Sequence, residues 1–177
     1  MKKQIIVWAM AMALWVGFTS PVFSADLKVG VVSFEKILRE SSAGKMSQQR
    51  LKDKSDALKA KLQKEKENLE ATKKAFEREF LVLSPEKKAE KERSFRIRVN
   101  DFNRMQQDSA KELKGLEISL LNNMQKEVYL IANEIGKKKG YTLILEKKNA
   151  GVIYMPAQVD ITGDVIKKYN AKMAKKK

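Results

Sequence analysis

The chain has 177 residues, with 37 Lys and Arg against 22 Asp and Glu, and it contains neither Cys nor His. These two absences exclude disulfide staples and remove the commonest metal ligands, the commonest general base and the thiol nucleophile. We therefore predict a protein that is not an enzyme and needs no metal or cofactor. The net charge of +15 favours acidic partners, namely nucleic acid, anionic lipid or acidic polypeptides.

Residues 1–24 have the organisation of a secretion signal. Lys2 and Lys3 precede an apolar run from Ile5 to Phe18, and a segment of small residues ends at Ser24. The apolar run is short for a membrane span, which needs about 20 residues. We predict export, cleavage after Ser24 and a mature chain with 35 basic and 22 acidic residues, or a net charge of +13.

The segment 25–44 is predicted to begin with a strand and to continue into a short helix. Leu27 to Val32 is a short run rich in β-branched residues, which is typical of a strand. Ser33 is a candidate N-cap for a short helix that Gly44 ends or bends.

Residues 45–139 are predicted to form a hairpin of two long helices. Lys45 to Leu83 contains neither Gly nor Pro and is rich in helix formers, so it predicts a rod of roughly 60 Å. Ser84 and Pro85 supply an N-cap and a first-turn proline for a second helix, which Gly140 ends. Two rods of similar length joined by a tight bend near 83–86 should pack antiparallel.

The segment 140–177 returns to strand-like patterns. Tyr141 to Leu145 and Val152 to Met155 are predicted to pair as a β-hairpin, with its turn between them. Thr162 is a candidate cap for a last short helix, and the Lys-rich end from Lys172 is predicted to be a solvated tail. The segments 25–44 and 140–177 together form the predicted base of the molecule.

The predicted interface between the two long helices is only partly apolar. A heptad pattern places nine residues of the first helix on the inner stripe, and about half are polar: Ser55, Leu58, Leu62, Glu65, Leu69, Thr72, Phe76, Glu79 and Leu83. A self-sufficient coiled coil needs apolar residues at nearly all of these positions. In the return helix the apolar stripe thickens from Leu113 to Ile135. We therefore expect a compliant distal hairpin on a firmer base.

Three short strands leave open edges and cannot close a core alone. Strand sharing between identical chains would close it, so we predict a homo-oligomer. The predicted base contacts are Val29, Val31, Leu143, Leu145, Val152 and Tyr154.

The mature chain resembles the Skp (OmpH-like) family of periplasmic chaperones over nearly its whole length. The likeness rests on the opening strand from Leu27 to Val32, the Lys/Glu-rich hairpin, the strand-like segments 141–145 and 152–154, and Val159 to Ile166. The resemblance implies an α+β homotrimer in which helical hairpins project from a small β-barrel base shared between subunits. It also implies a holdase that keeps unfolded outer-membrane proteins from aggregating in the periplasm without ATP.

Two groups of residues near the bend are candidates for binding such a partner. Phe80, Leu81 and Val82 lack a position in the helix interface and are candidates for contact with apolar segments. A cationic cluster on the return helix is a candidate site for an acidic polypeptide, for lipopolysaccharide phosphates or for an anionic lipid surface: Lys87, Lys88, Lys91, Arg93, Arg96, Arg98 and Arg104.

Two other functions fit parts of the sequence. A coiled-coil spacer of the cell envelope would share the long helices, although the half-polar interface argues against a stiff spacer. A nucleic-acid-binding protein would share the basic charge, but the Lys residues alternate with acids and few aromatic residues are available for base stacking. Export would also separate the protein from nucleic acid. We therefore expect no nucleic-acid partner.

Overall fold

The computed structural model describes residues 27–175. Its elements are β1 (Val29–Val32), α1 (Phe34–Glu40), α2 (Ser42–Glu79), α3 (Pro85–Lys139), β2 (Leu143–Glu146), a short 3-10 helix (Ala157–Val159) and α4 (Thr162–Ala174). The predicted signal peptide and its cleavage after Ser24 lie outside the described residues. Within residues 27–175, no helix has the length and apolar character that crossing a membrane requires.

The first long helix begins earlier than predicted, at Ser42 rather than at residue 45. Ser33 caps α1 by accepting from the Lys36 N–H, as predicted, and Ser41 caps α2 by accepting from the Gly44 N–H. Gly44 therefore lies in the first turn of α2 and does not end a helix. A Cβ at this position would stand 2.0 Å from the Leu38 carbonyl oxygen, so the close packing of α1 on α2 requires glycine.

Helices α2 and α3 form the predicted antiparallel hairpin. Ion pairs join Lys54 to Glu112, Glu65 to Arg98 and Glu79 to Lys91, so positions that advance along α2 meet positions that recede along α3. Helix α2 ends at Glu79, four residues before Leu83, and the bend occupies residues 80–84. The Ser84 hydroxyl accepts from the Lys87 N–H and Pro85 follows, as predicted.

The predicted inner stripe of α2 is confirmed with one exception. Eight of its nine residues are buried or partly buried, and Glu79 beside the bend is exposed. Leu69 is the most deeply buried apolar member, with 8% of its surface exposed. The distal hairpin is thus held by one well-buried leucine and by partly covered, often polar, neighbours.

The apolar core lies at the base, as predicted from the thickening stripe of α3. Met124, Val128, Ile131 and Ile135 are buried there against residues from the other elements: Val32, Ile37, Ala43, Ile161, Val165 and Tyr169. Gly140 ends α3 in the left-handed conformation, with φ of 69°, which confirms its predicted role.

The strand pairing differs from the prediction. Strands β1 and β2 form a parallel pair in which Val29 faces Leu143 and Val31 faces Leu145. The predicted hairpin between 141–145 and 152–155 is wrong, because Val152 to Met155 form no strand in this chain. After Val152 donates to the Lys147 carbonyl at 3.0 Å, the segment leaves β2, and Pro156 cannot donate to a ladder.

Helix α4 packs back onto α3 through ion pairs. Lys139 bonds Asp164 at 2.6 Å, Lys168 bonds Glu134 at 2.5 Å and Lys172 bonds Glu127 at 2.6 Å. Lys172 therefore belongs to a docked helix and not to a solvated tail.

Thr162 does not cap α4 as predicted. Its hydroxyl accepts from the Ser33 N–H at 2.9 Å, while Asp160 accepts from the Thr162 N–H. The side chain thus joins the start of α1 to the start of α4, and the residue is fully buried.

Candidate functional site

The bend of the hairpin exposes a small apolar surface at the end of the molecule farthest from the base. Leu81 and Val82 have 89% and 85% of their surfaces exposed. The Val82 N–H donates to the Glu79 carbonyl at 3.1 Å, which fixes the backbone of the turn. We call Phe80, Leu81 and Val82 the tip.

Phe80 is less available than its two neighbours. Its ring meets the Phe76 ring edge-on, with centroids 5.6 Å apart, and the Lys88 Nζ lies 4.4 Å above its centroid. The side chain retains 41% exposure. Phe76 and Leu83 are partly buried, in line with their predicted packing inside the hairpin, and Phe95 of α3 is also partly buried.

The predicted cationic cluster divides into three groups. Lys91 and Arg104 pair with Glu79 and Asp101, and Lys88 covers the Phe80 ring. Lys87, Arg93 and Arg96 are exposed and form no ion pair within residues 27–175. Arg98 alone forms the third group, because it is partly buried. The pKa of Glu86, in the first turn of α3, lies below its ordinary value because the backbone N–H of Glu86 and then the Ser84 side chain bond its carboxylate.

Arg98 lies in the helix interface. Its guanidinium donates to the Thr72 hydroxyl at 2.8 Å and to the Glu65 carboxylate at 3.0 Å, and so joins two turns of α2 to one of α3. The hydrogen bond from Arg98, followed by one from Asn68, lowers the pKa of Glu65. We call Glu65, Thr72 and Arg98 the polar clasp.

Sequence reasoning missed this role of Arg98, although a signal was present. Arg98 and Met105 each follow an inner phenylalanine, Phe95 or Phe102, by three residues, which places both on the face that meets α2. Both are partly buried. Glu65 and Thr72 were already predicted on the inner stripe of α2. A cation at position 98 on the facing side of α3 is therefore placed to bond both of them.

The predicted base contacts fall into two classes. Val31 is buried within the chain and pairs with Leu145 across the sheet, whereas Leu143 remains 45% exposed. Tyr154 is 84% exposed, and Val29, Leu145 and Val152 are partly covered. Ile153, which was not among the predicted contacts, is 99% exposed.

Leu145, Val152 and Ile153 border an open concavity of about 1500 Å³ at the base. Strand β2, α1, the 147–153 segment and one face of α3 from Leu121 to Ala132 form its walls. Nothing in the described part of the chain groups three His, Cys, Asp or Glu side chains as a metal ion would require. The tip and this concave, partly apolar base are two surfaces suited to binding.

Comparison with known proteins agrees with this architecture. A family model described as outer membrane protein (OmpH-like) matches residues 28–169. A crystal structure of an OmpH-like protein from Caulobacter crescentus CB15 superposes with a TM-score of 0.76 at 20% identity, covering 81% of this chain and 84% of that one. Comparison with curated proteins gave no match. The family model spans most of the chain, and the chain therefore belongs to the OmpH-like family, as the resemblance to the Skp (OmpH-like) chaperones predicted.

Proposed function

We propose that the protein is an ATP-independent periplasmic holdase chaperone that binds unfolded outer-membrane proteins and prevents their aggregation in transit. The observation that carries this proposal is the tip, where Leu81 and Val82 are almost fully exposed at the end of a long arm. Exposed apolar surface that a protein does not use for its own core is typical of an interaction site. Membership of the OmpH-like family supports the same function.

The half-polar interface of the hairpin suits a holdase. At each interface position that is polar, the hairpin lacks the roughly 1.5–3 kcal/mol that burial of an apolar side chain would contribute. The arms therefore bend at low energetic cost. Bent arms accommodate unfolded chains of different sizes. Many weak contacts, each easily broken, also permit release without an energy source.

The chaperone is proposed to work as a homotrimer with a β-barrel base shared between subunits. Leu143, Ile153 and Tyr154 are the exposed apolar residues that association would cover. Among residues 27–175 only β1 pairs with β2, so the other edge of β2 could pair with a strand of a second copy. The family resemblance supplies the number of subunits.

The predicted signal peptide supports export to the periplasm, with cleavage after Ser24. The excess of cations, including Lys87, Arg93 and Arg96, favours acidic segments of the unfolded protein. The same residues suit lipopolysaccharide phosphates or an anionic lipid surface as further partners.

The proposed function is tested by dilution of a urea-denatured outer-membrane β-barrel protein into buffer that contains the processed chain, residues 25–177. A holdase suppresses light scattering at stoichiometric amounts and co-sediments with the unfolded protein. An envelope spacer leaves the scattering unchanged. A nucleic-acid-binding protein also leaves it unchanged, but retards DNA in a gel with a steep dependence on salt. Either of the last two results would overturn the proposal.

A further inference from the structure

One face of α3 carries no acidic residue between Arg93 and Tyr129. A helix advances by roughly 100° per residue, so Arg93, Asn100, Gln107, Lys111, Ile118 and Tyr129 lie near one line along it. All six are exposed. The five acids of this stretch lie off this line, and Asp108 is the nearest to it, at about 60° from Lys111: Asp101, Asp108, Glu112, Glu117 and Glu127. We call the face within about 60° of this line the acid-free strip.

The strip carries positive charge that the chain does not neutralise. Arg93, Arg96 and Lys111 form no ion pair within the described residues, while Arg104 and Lys114 bond Asp101 and Glu117, which lie outside the strip. Helix α2 also has cations without an ion pair among the described residues, such as Lys61, Lys64 and Lys74, but it pairs others with acids four residues away, as in Lys52 with Asp56 and Lys73 with Glu77. An acidic ligand therefore finds unpaired cations along α3.

Side-chain amides alternate with these cations. Asn100, Asn103, Gln107, Asn122 and Gln125 are exposed, and within residues 27–175 their amide groups make no hydrogen bond to the protein. An amide offers both donors and an acceptor, which matches the N–H and C=O groups of an unfolded backbone. The strip from Arg93 to Tyr129 is about 54 Å long, so an extended segment of roughly 16 residues would follow it fully.

Apolar residues occur along the strip and increase toward the base. Ile97 and Ile118 are 52% and 47% exposed, and Tyr129 is 71% exposed. Leu121, Asn122, Gln125 and Tyr129 also line the concavity at the base. The strip therefore leads continuously from the basic half of the hairpin into the partly apolar base.

We propose that the acid-free strip is the track on which an extended, acidic segment of an unfolded polypeptide docks. This inference rests on the proposed holdase function and assigns the binding surface for the partner. The cations of the strip bind carboxylates of the segment, the side-chain amides bind its backbone, and the isoleucines contact its apolar side chains. A polypeptide fits better than nucleic acid, because the part of the strip from Arg93 to Ile118 carries no aromatic ring for base stacking.

The test compares two charge-matched triple variants of the processed chain. The strip variant reverses three charges on the strip: Arg93→Glu, Arg96→Glu and Lys111→Glu. The α2 variant reverses three exposed cations of α2 that form no ion pair in the described chain: Lys61→Glu, Lys64→Glu and Lys74→Glu. Both variants change the net charge by the same amount, so the long-range attraction to an acidic peptide decreases equally in the two. The probe is a fluorescent, unstructured 20-residue peptide that alternates Glu with apolar residues, and its twin carries Gln in place of Glu.

We expect the strip variant to bind the acidic peptide about tenfold more weakly than the unaltered chain, because three surface charge contacts are lost. The affinity of the α2 variant for the acidic peptide should change by less than about twofold. The peptide that carries Gln in place of Glu should bind both variants equally. Equal weakening in both variants would overturn the proposal, since it would show attraction by overall charge alone. Weaker binding to anionic lipid vesicles with unchanged peptide binding would also overturn it.

A second measurement does not depend on the folding of a multiply charged variant. A photoreactive benzoylphenylalanine at Gln107 should cross-link the denatured outer-membrane protein, and the same group at Lys61 on α2 should not. Cross-linking at Lys61 alone would overturn the strip while the holdase function stands. Failure of the unaltered chain to keep the denatured protein soluble would instead overturn the proposed function, and the strip with it.

Discussion

Gly44 is the residue where the structure leaves least room for a side chain. A methyl group there would lie 2.0 Å from the Leu38 carbonyl oxygen, so Gly44→Ala forces α1 away from α2. We predict a loss of about 2 kcal/mol or more, in line with other overpacked sites. The measurement is thermal unfolding followed by circular dichroism at one fixed protein concentration.

Gly115 is the matched control for Gly44. It lies inside α3, and a Cβ there would meet nothing within 4 Å. Gly115→Ala should therefore stabilise the protein by about 0.5–1 kcal/mol, because alanine loses less backbone entropy in a helix. Equal destabilisation by both substitutions would contradict the account of the α1–α2 contact.

The polar clasp predicts a dependence on pH. The folded-state pKa of Glu65 is lowered by Arg98, so the carboxylate contributes stability at pH values above its unfolded pKa. This contribution is lost as the pH falls below the ordinary value of 4.5 and through the lowered one. Amide exchange near Thr72 should therefore accelerate, once corrected for the intrinsic rate, on acidification in the unaltered chain. In Glu65→Gln it should respond much less, and an identical response would contradict the clasp.

At the scale of elements, the helices could be predicted and the strand pairing could not. Ser84, Pro85 and Gly140 act through local backbone chemistry, so their roles were readable from neighbours in sequence. The partner of β2 depends instead on β1, more than a hundred residues away. The run from Val152 to Tyr154 has strand composition, but composition does not supply a neighbour for it. Arg98 was missed for a related reason, since its partners lie on another helix.

Two residues of the tip, Leu81 and Val82, have side chains that contribute little to the stability of the fold. Leu81→Ser with Val82→Ser should leave the unfolding temperature unchanged, because both side chains are exposed. The same variant should suppress aggregation of a denatured outer-membrane protein several-fold less well, if the tip contacts its apolar segments. Light scattering after dilution measures this, with Ser94→Ala, an exposed position on α3, as a control. Full activity of the double variant would exclude the tip as a binding surface.

For the whole molecule, the proposed trimer depends on exposed residues at the base. Ile153→Asp with Tyr154→Asp should yield monomers in sedimentation, because charge would enter the surface that association covers. Leu81→Asp with Val82→Asp adds the same charge at equally exposed apolar positions and should leave the trimer intact. A trimer that survives the first pair would contradict the proposed base.

The central claim is that compliant arms project from a firm base. Hydrogen exchange of the processed chain tests it most directly, because local opening reports packing density. The account predicts that amides of residues 55–105 exchange at least about tenfold faster than those of residues 124–135, after correction for intrinsic rates. Uniform protection along α2 and α3 would contradict it, because the arms would then be rigid and the proposed accommodation of different partners would lose its physical basis.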